Sequence, residues 1–175
     1  MKNNYKYFLI IVFCFLLPLK NIKASEPFIF DVTEVEILEN GNQINGYKRG
    51  TAISEDGSTI TADNFFYNKL TNILEVIGSV KYLDVSNNIT ITSDKAIYFK
   101  NDEKVFTIGN SKALNDNNTI TASNLEYDKI NNIFKAKEDA VVKDFDKDTT
   151  IYADEITYFK NDEKVFTIGN SKALN

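Results

Sequence analysis

Four stretches of the chain align on an isoleucine: ITADNFFYNKLTNILEVIGSV from Ile60, ITSDKAIYFKNDEKVFTIGNS from Ile91, ITASNLEYDKINNIFKAKEDAV from Ile120 and IYADEITYFKNDEKVFTIGNS from Ile151. They follow one another at steps of 31, 29 and 31 residues, and the phrase YFKNDEKVFTIGNSKALN occurs letter for letter at 98–115 and again at 158–175. A degenerate earlier copy, FIFDVTEVEILENGNQING, begins at Phe28, so five units of about thirty residues fill nearly all of the chain after its first segment. Such a period is that of one small unit unable to bury its apolar face alone, which stacks on its neighbours to make a continuous core. A catalytic site is normally built once, so the repetition points to a repeated surface rather than an active site.

Each unit reads as two strands and a turn. Ile, Thr, Tyr, Phe and Val dominate, and apolar residues alternate with polar ones, as in LEVIGSVKY. Polar segments of hairpin length, YNKLTNI, YFKNDEKV and YDKINNI, separate the strands, and Asn40-Gly41 and Asp56-Gly57 supply tight-turn signals. Helical spacing is sustained nowhere after Ser25. The expected class is all-β: stacked antiparallel strands built from two-strand repeats of about thirty residues.

The apolar positions change parity within every first strand. They fall at offsets 0 and 2, then 5 and 7: Ile60, Ala62, Phe65, Tyr67; Ile91, Ser93, Ala96, Tyr98; Ile120, Ala122, Leu125, Tyr127; Ile151, Ala153, Ile156, Tyr158. A flat strand keeps one parity on one face. A bulge or bend at the intervening pairs, Asp63-Asn64, Asp94-Lys95, Ser123-Asn124 and Asp154-Glu155, restores a common face and creases the sheet into a trough. The competing reading is that both faces are half-buried. Asp63, Asp94 and Asp154 are read as bulge or turn residues satisfying backbone N–H groups. Gly78, Gly109 and Gly169, at offset 18, are read as bulge or close-approach glycines; Gly46 stands at that offset in the first copy, and Glu138 breaks the pattern.

The first segment stands apart. Lys2 and Lys6 precede FLIIVFCFLLPL, an apolar run of twelve, and KNIKA ends it. Twelve residues of helix reach only about 18 Å, short of the roughly 30 Å of a bilayer core. Residues 1–24 are therefore read as a secretory signal, cleaved near Ala24, and 25–175 as the working domain. Cys14, the only cysteine, leaves with it, and the remainder has no Cys, His or Trp. With 16 basic and 25 acidic residues, that remainder carries a net charge of −9 and a single arginine, Arg49. A strongly acidic surface argues against nucleic acid as a partner.

Chemistry is sparse. Without His or Cys, the usual nucleophile–base pairs and zinc sites are missing. Asp144, Asp146 and Asp148 alternate as in a calcium loop, but Thr149 stands where a glycine is needed. No enzyme, cofactor or metal site emerges. What remains is an apolar face: the candidate groove and core residues are Ile60, Ala62, Phe65, Phe66, Tyr67, Ile91, Ala96, Tyr98, Ile120, Leu125, Tyr127, Phe134, Ile151, Ile156 and Tyr158. A trough so lined would take acyl chains at about 0.8 kcal/mol per buried methylene, and its open strand edges would accept another chain.

The repeated I-x-A-D-x-x-x-Y … G-x-V pattern of ITADNFFYNKLTNILEVIGSV, ITASNLEYDKINNIF and IYADEITYF resembles the OstA-like lipopolysaccharide transport family, from about Phe28 to Asn175. That family includes periplasmic LptA and the periplasmic amino-terminal domain of the outer-membrane protein LptD. The resemblance implies an open, V-shaped β-jellyroll in the periplasm whose apolar interior carries lipopolysaccharide acyl chains while phosphates and sugars stay in solvent. It also implies edge-to-edge joining with other Lpt β-jellyrolls, driven by an ATP-consuming transporter, and no cofactor. The Ala-Asp-x-x-x-Tyr spacing and FDVTEVEILENG look more like the start of LptD, which would continue into an outer-membrane barrel; the end at Asn175 reads as a truncation. In the unit from Ile120, Ser123 replaces Asp and Glu138 replaces Gly, so distortion is expected there. The alternative is a secreted structural or adhesive β-solenoid, whose interior would be filled by side chains without a lipid groove. A carbohydrate-active enzyme would need a converging acidic pair, and none is singled out.

Overall fold

Asp63 interrupts an otherwise continuous strand, and the same level of every other strand carries an irregularity. The computed structural model describes residues 27–115 and 117–175, so the signal-peptide reading and Cys14 lie outside the described residues. Among the described residues, twelve strands form one antiparallel sheet: β1 (Phe28–Leu38), β2 (Gln43–Ser54), β3 (Thr59–Ala62), β4 (Asn64–Asn68), β5 (Ile73–Asp84), β6 (Ile89–Phe99), β7 (Lys104–Leu114), β8 (Asn118–Asp128), β9 (Ile133–Asp144), β10 (Thr149–Phe159), β11 (Lys164–Ile168) and β12 (Lys172–Leu174). Their order follows the chain; β3 and β4 together make one broken strand between β2 and β5, and β11 and β12 make another beside β10. The all-β, two-strand-repeat architecture expected from the period is the architecture observed.

The crease is present; its extra residues sit at the offset-18 glycines, on the second strand of the unit, and not at the Asp63-Asn64 type of pair on the first. On β5, Gly78 and Ser79 together oppose Asp94 of β6. On β9, Glu138 and Asp139 oppose Asp154, and on β2, Lys48 and Arg49 oppose Thr33. Both residues of each inserted pair have positive φ: 86° and 47° at Gly78-Ser79, 77° and 48° at Gly109-Asn110, 65° and 55° at Glu138-Asp139. Two left-handed residues in succession turn the strand sharply, and Gly and Asn tolerate that region best. In the first copy the pair is Lys48-Arg49, not Gly46, which corrects the alignment at that end.

Glycine is required for a second reason. A Cβ on Gly78 would lie 2.4 Å from Asp63 Oδ2, and one on Gly109 2.5 Å from Asp94 Oδ2. In the unit from Ile120 both members change together: Glu138 stands against Ser123. The smaller serine removes the carboxylate that would meet the new side chain, and the bend keeps its two left-handed residues instead of distorting.

The creases line up, so the sheet folds along them into two layers joined by continuous strands. Both halves of each strand turn one face inward. Ile60, Ala62, Phe65 and Tyr67 are all buried, as are Ile91, Ala96, Tyr98, Ile120, Leu125, Tyr127, Phe134, Ile156 and Tyr158. Ile151 is half-buried against this core at the β10 end. Phe66 is a correction: adjacent to two inward residues, it faces outward, half-buried, and meets the Tyr47 ring edge-on at 6.1 Å.

Candidate functional site

Two rows of turns, opposite the crease, close the folded sheet. One row follows the inward tyrosines, at 69–72, 100–103, 129–132 and 160–163; the other precedes the inward isoleucines, at 55–58, 85–88 and 145–148, with Asn115 and Asn117 at the corresponding place before Ile120. Because the layers are twisted against each other, a turn in the first row meets turns much earlier in the chain. The tyrosines reach this seam. Tyr67 Oη donates to Asn72 at 2.8 Å, and Tyr127 Oη lies 3.2 Å from Asn132 and 3.3 Å from Asp84 across the seam. Tyr98 Oη meets Glu103, and Asn118 of the opposite row donates to Tyr158 Oη at 3.1 Å. Burial pushes the Tyr82, Tyr98, Tyr127 and Tyr158 phenols above the ordinary tyrosine range, so they stay neutral donors.

Lys129 is the main clasp. Its ammonium pairs with Asp56, 73 residues away, donates to Ser58 Oγ at 2.8 Å and lies 3.7 Å from Asp84 Oδ2. Asp84 is fully buried and is also held by the Asn87 amide at 3.1 Å and side chain at 2.8 Å. Lys160 Nζ donates to the Asn87 carbonyl at 2.5 Å, again 73 residues away. Lys147 joins Glu163 across the rows at 3.5 Å.

Asp56 shows the strength of the clasp. Burial alone would raise its pKa, yet hydrogen bonds from Lys129 and the Ser58 amide outweigh that and lower it from 3.8 to about 2. A carboxyl held lower when folded adds stability above its unfolded pKa and loses it as the pH falls through the folded value. The melting temperature should therefore drop between about pH 4 and pH 2, and Asp56→Asn should make that drop shallower. An unchanged slope in the variant would mean that the pair contributes nothing.

The interior behind the seam is packed for most of its length. Tyr127 and Phe134 stack at 4.6 Å between centroids, Phe28 meets Tyr67 and Tyr98 edge-on at 5.1 and 5.7 Å, and Tyr82 lies 6.1 Å from Tyr98. It opens at the β10–β11 end into a cavity of about 410 Å³, floored by Val142, Ile151, Tyr158 and Val165 and rimmed by Asn118, Asp144, Lys147 and Glu163. The structure thus brings the candidate lining residues together as one core, Phe66 excepted, and places Asp63, Asp94, Asp154, Gly78, Gly109 and Gly169 along the outer crease, away from the seam. Lys129, Asp56 and Asp84 escaped sequence reasoning. Their signal was present for the lysine: Lys69, Lys100, Lys129 and Lys160 each stand two residues after an inward tyrosine.

This is a β-jellyroll of paired-strand rungs, creased on one side and clasped on the other. The profile of the OstA-like proteins matches residues 29–171, and the chain belongs to that family. Among solved structures it resembles LptH of Pseudomonas aeruginosa, the LptA-homologous periplasmic component of a lipopolysaccharide transport device, with a TM-score of 0.59 at 14% identity over 65% of this chain and 83% of that one. At this identity the likeness is one of fold. The TCP10 domain of Danio rerio CPAP in complex with a STIL peptide aligns over 80% of this chain and 97% of that one at 13% identity, with a TM-score of 0.17 too low to carry an argument. No curated protein matches the chain.

Proposed function

We propose that the protein is a periplasmic β-jellyroll of lipopolysaccharide transport, taking acyl chains between its two layers and passing them along a row of similar domains. The observation that carries this is membership of the OstA-like family together with a fold shared with LptH. The apolar interior supports it: aromatic and aliphatic side chains line both layers, and the cavity at the β10–β11 end leads into them. Because the interior is otherwise filled, chains enter only as the layers part and core side chains give way. A filled interior is also what a purely structural stacked-repeat protein would have. Capture of lipopolysaccharide in cells by a photoreactive residue at Phe134 separates the two.

Edge joining has a sequence-encoded register. The phrase at 98–115 and its copy at 158–175 are identical, but β7 in the first copy is covered by β8, while β11 and β12 pair only with β10 among the described residues. Val105 and Ala113 are buried and pair with Tyr127 and Ile120, whereas their copies are less covered: Val165 is half-buried and Ala173 exposed. The β11–β12 edge therefore offers a partner what β7 offers β8, with Val165 and Ala173 opposite the partner's tyrosine and isoleucine. A peptide of the 118–128 sequence should slow amide exchange across 164–174; no protection there, at saturating peptide, would refute this register. Whether the chain serves as an LptA or as the amino-terminal part of an LptD, joined to an outer-membrane barrel, belongs to the same proposal; the opening FDVTEVEILENG favours the latter.

A further inference from the structure

The lysines at the seam form a row. Lys69, Lys100, Lys129 and Lys160 recur at one offset in successive units, and units are two strands apart, which spaces the positions by about 10 Å along one lip. Residues 25–175 carry a net charge of −9, and against that background this is an ordered line of cations, set at the seam of the two layers rather than on an outer face. Two of its members are nearly covered, with side chains 12% exposed at Lys129 and 15% at Lys100. Lys100 pairs with Glu103 on its own turn and lies 5.8 Å from the Tyr98 ring centroid. Lys129 and Lys160 instead hold groups of the opposite lip: Asp56, Ser58 and Asp84 in one case, the Asn87 carbonyl in the other.

That arrangement has a consequence when the lips part. Lys129 and Lys160 lose their partners together, leaving two ammonium groups at the mouth of the apolar interior, to be satisfied by water or by an anion that enters with the lipid. A phosphate offers several charged acceptor oxygens to a lysine. We infer that the Tyr-x-Lys row is a binding site for the phosphate groups of an acylated lipid, in which headgroup phosphate takes over Lys129 and Lys160 from the opposite lip while the acyl chains enter the interior behind them. The exchange couples headgroup to opening: an uncharged acyl lipid breaks the clasp with no new partner for the lysines, and a phosphorylated one supplies them with an anion in place of the opposite lip. The inference rests on the conduit reading and adds to it which part of the lipid the chain recognises.

The test is equilibrium binding of lipid A, in its phosphorylated and phosphate-free forms, to the full chain and to Lys129→Met/Lys160→Met. The wild type should prefer the phosphorylated form by about tenfold or more, a preference set by two charge-assisted contacts. The double variant should lose that preference while binding the phosphate-free form no more weakly than the wild type, and Lys129→Arg/Lys160→Arg should restore it. Lys160→Met alone strands no carboxylate; it guards against a folding defect and should lose part of the preference. Equal binding of both forms by the wild type, or a preference that survives in the double variant, would overturn the inference and leave the conduit reading standing. Equal weakening of both forms in the double variant would reduce the lysines to a structural role. Binding of neither form by the folded wild type would bring down the conduit reading and this inference together.

Discussion

Replacing Tyr127 by alanine should cost about 3–5 kcal/mol, the range for removing a large buried ring, and lower the melting temperature by about 10 °C or more in a domain of this size. The ring is fully buried, stacked on Phe134 at 4.6 Å, and its hydroxyl reaches both Asn132 and the buried Asp84. Alanine leaves a cavity between the two layers and deprives Asp84 of a donor at once. Tyr127→Phe separates the contributions: it keeps the ring and loses the hydroxyl's bonds to Asn132 and Asp84, so the loss should be about 1–3 kcal/mol. The contrasting control is Phe166→Ala, on the outer face and exposed, which should stay within about 0.5 kcal/mol of the parent. Thermal melts of the three variants decide the matter; equal losses at Tyr127 and Phe166 would contradict a core between the layers.

The second large effect lies at the crease. Gly109 has φ +77°, and a Cβ there would come within 2.5 Å of Asp94 Oδ2. Gly109→Glu should therefore destabilise by about 1–3 kcal/mol, through both the left-handed backbone and the collision. Adding Asp94→Ser recreates the Ser123–Glu138 arrangement that the rung from Ile120 already carries with the same bend. The double variant should recover a large share of the loss, a positive coupling of the kind neighbouring residues show. Strict additivity in a denaturant cycle would mean that the Asp–Gly contact is incidental, and that the paired change in the natural rung has another cause.

These two sites also mark where the sequence was readable. The thirty-residue period, the strand content and the parity change all follow from local pattern, because side-chain alternation in a strand has a fixed period and a repeat shows it several times. Tyr67, Tyr98, Tyr127 and Tyr158 fall in one column for that reason. The bulge was legible in part: the Gly-Ser and Gly-Asn pairs announce positive φ, while the parity break alone places the irregularity on the partner strand. Phe66 misled because an aromatic beside two inward residues looks inward until the strict alternation within β4 is applied. The seam was out of reach altogether. Lys129 and Asp56 are 73 residues apart, and no local pattern states how far the two layers twist before their turns meet.

The most direct test of the account is photo-crosslinking in cells from three aromatic positions, each replaced in turn by a photoreactive phenylalanine. Tyr98 and Phe134 lie inside the folded sheet and Phe66 on its outer face. Lipopolysaccharide should be captured from Tyr98 and Phe134 and not from Phe66. Capture from Phe66 alone, or from none of the three while the protein is folded, would contradict it.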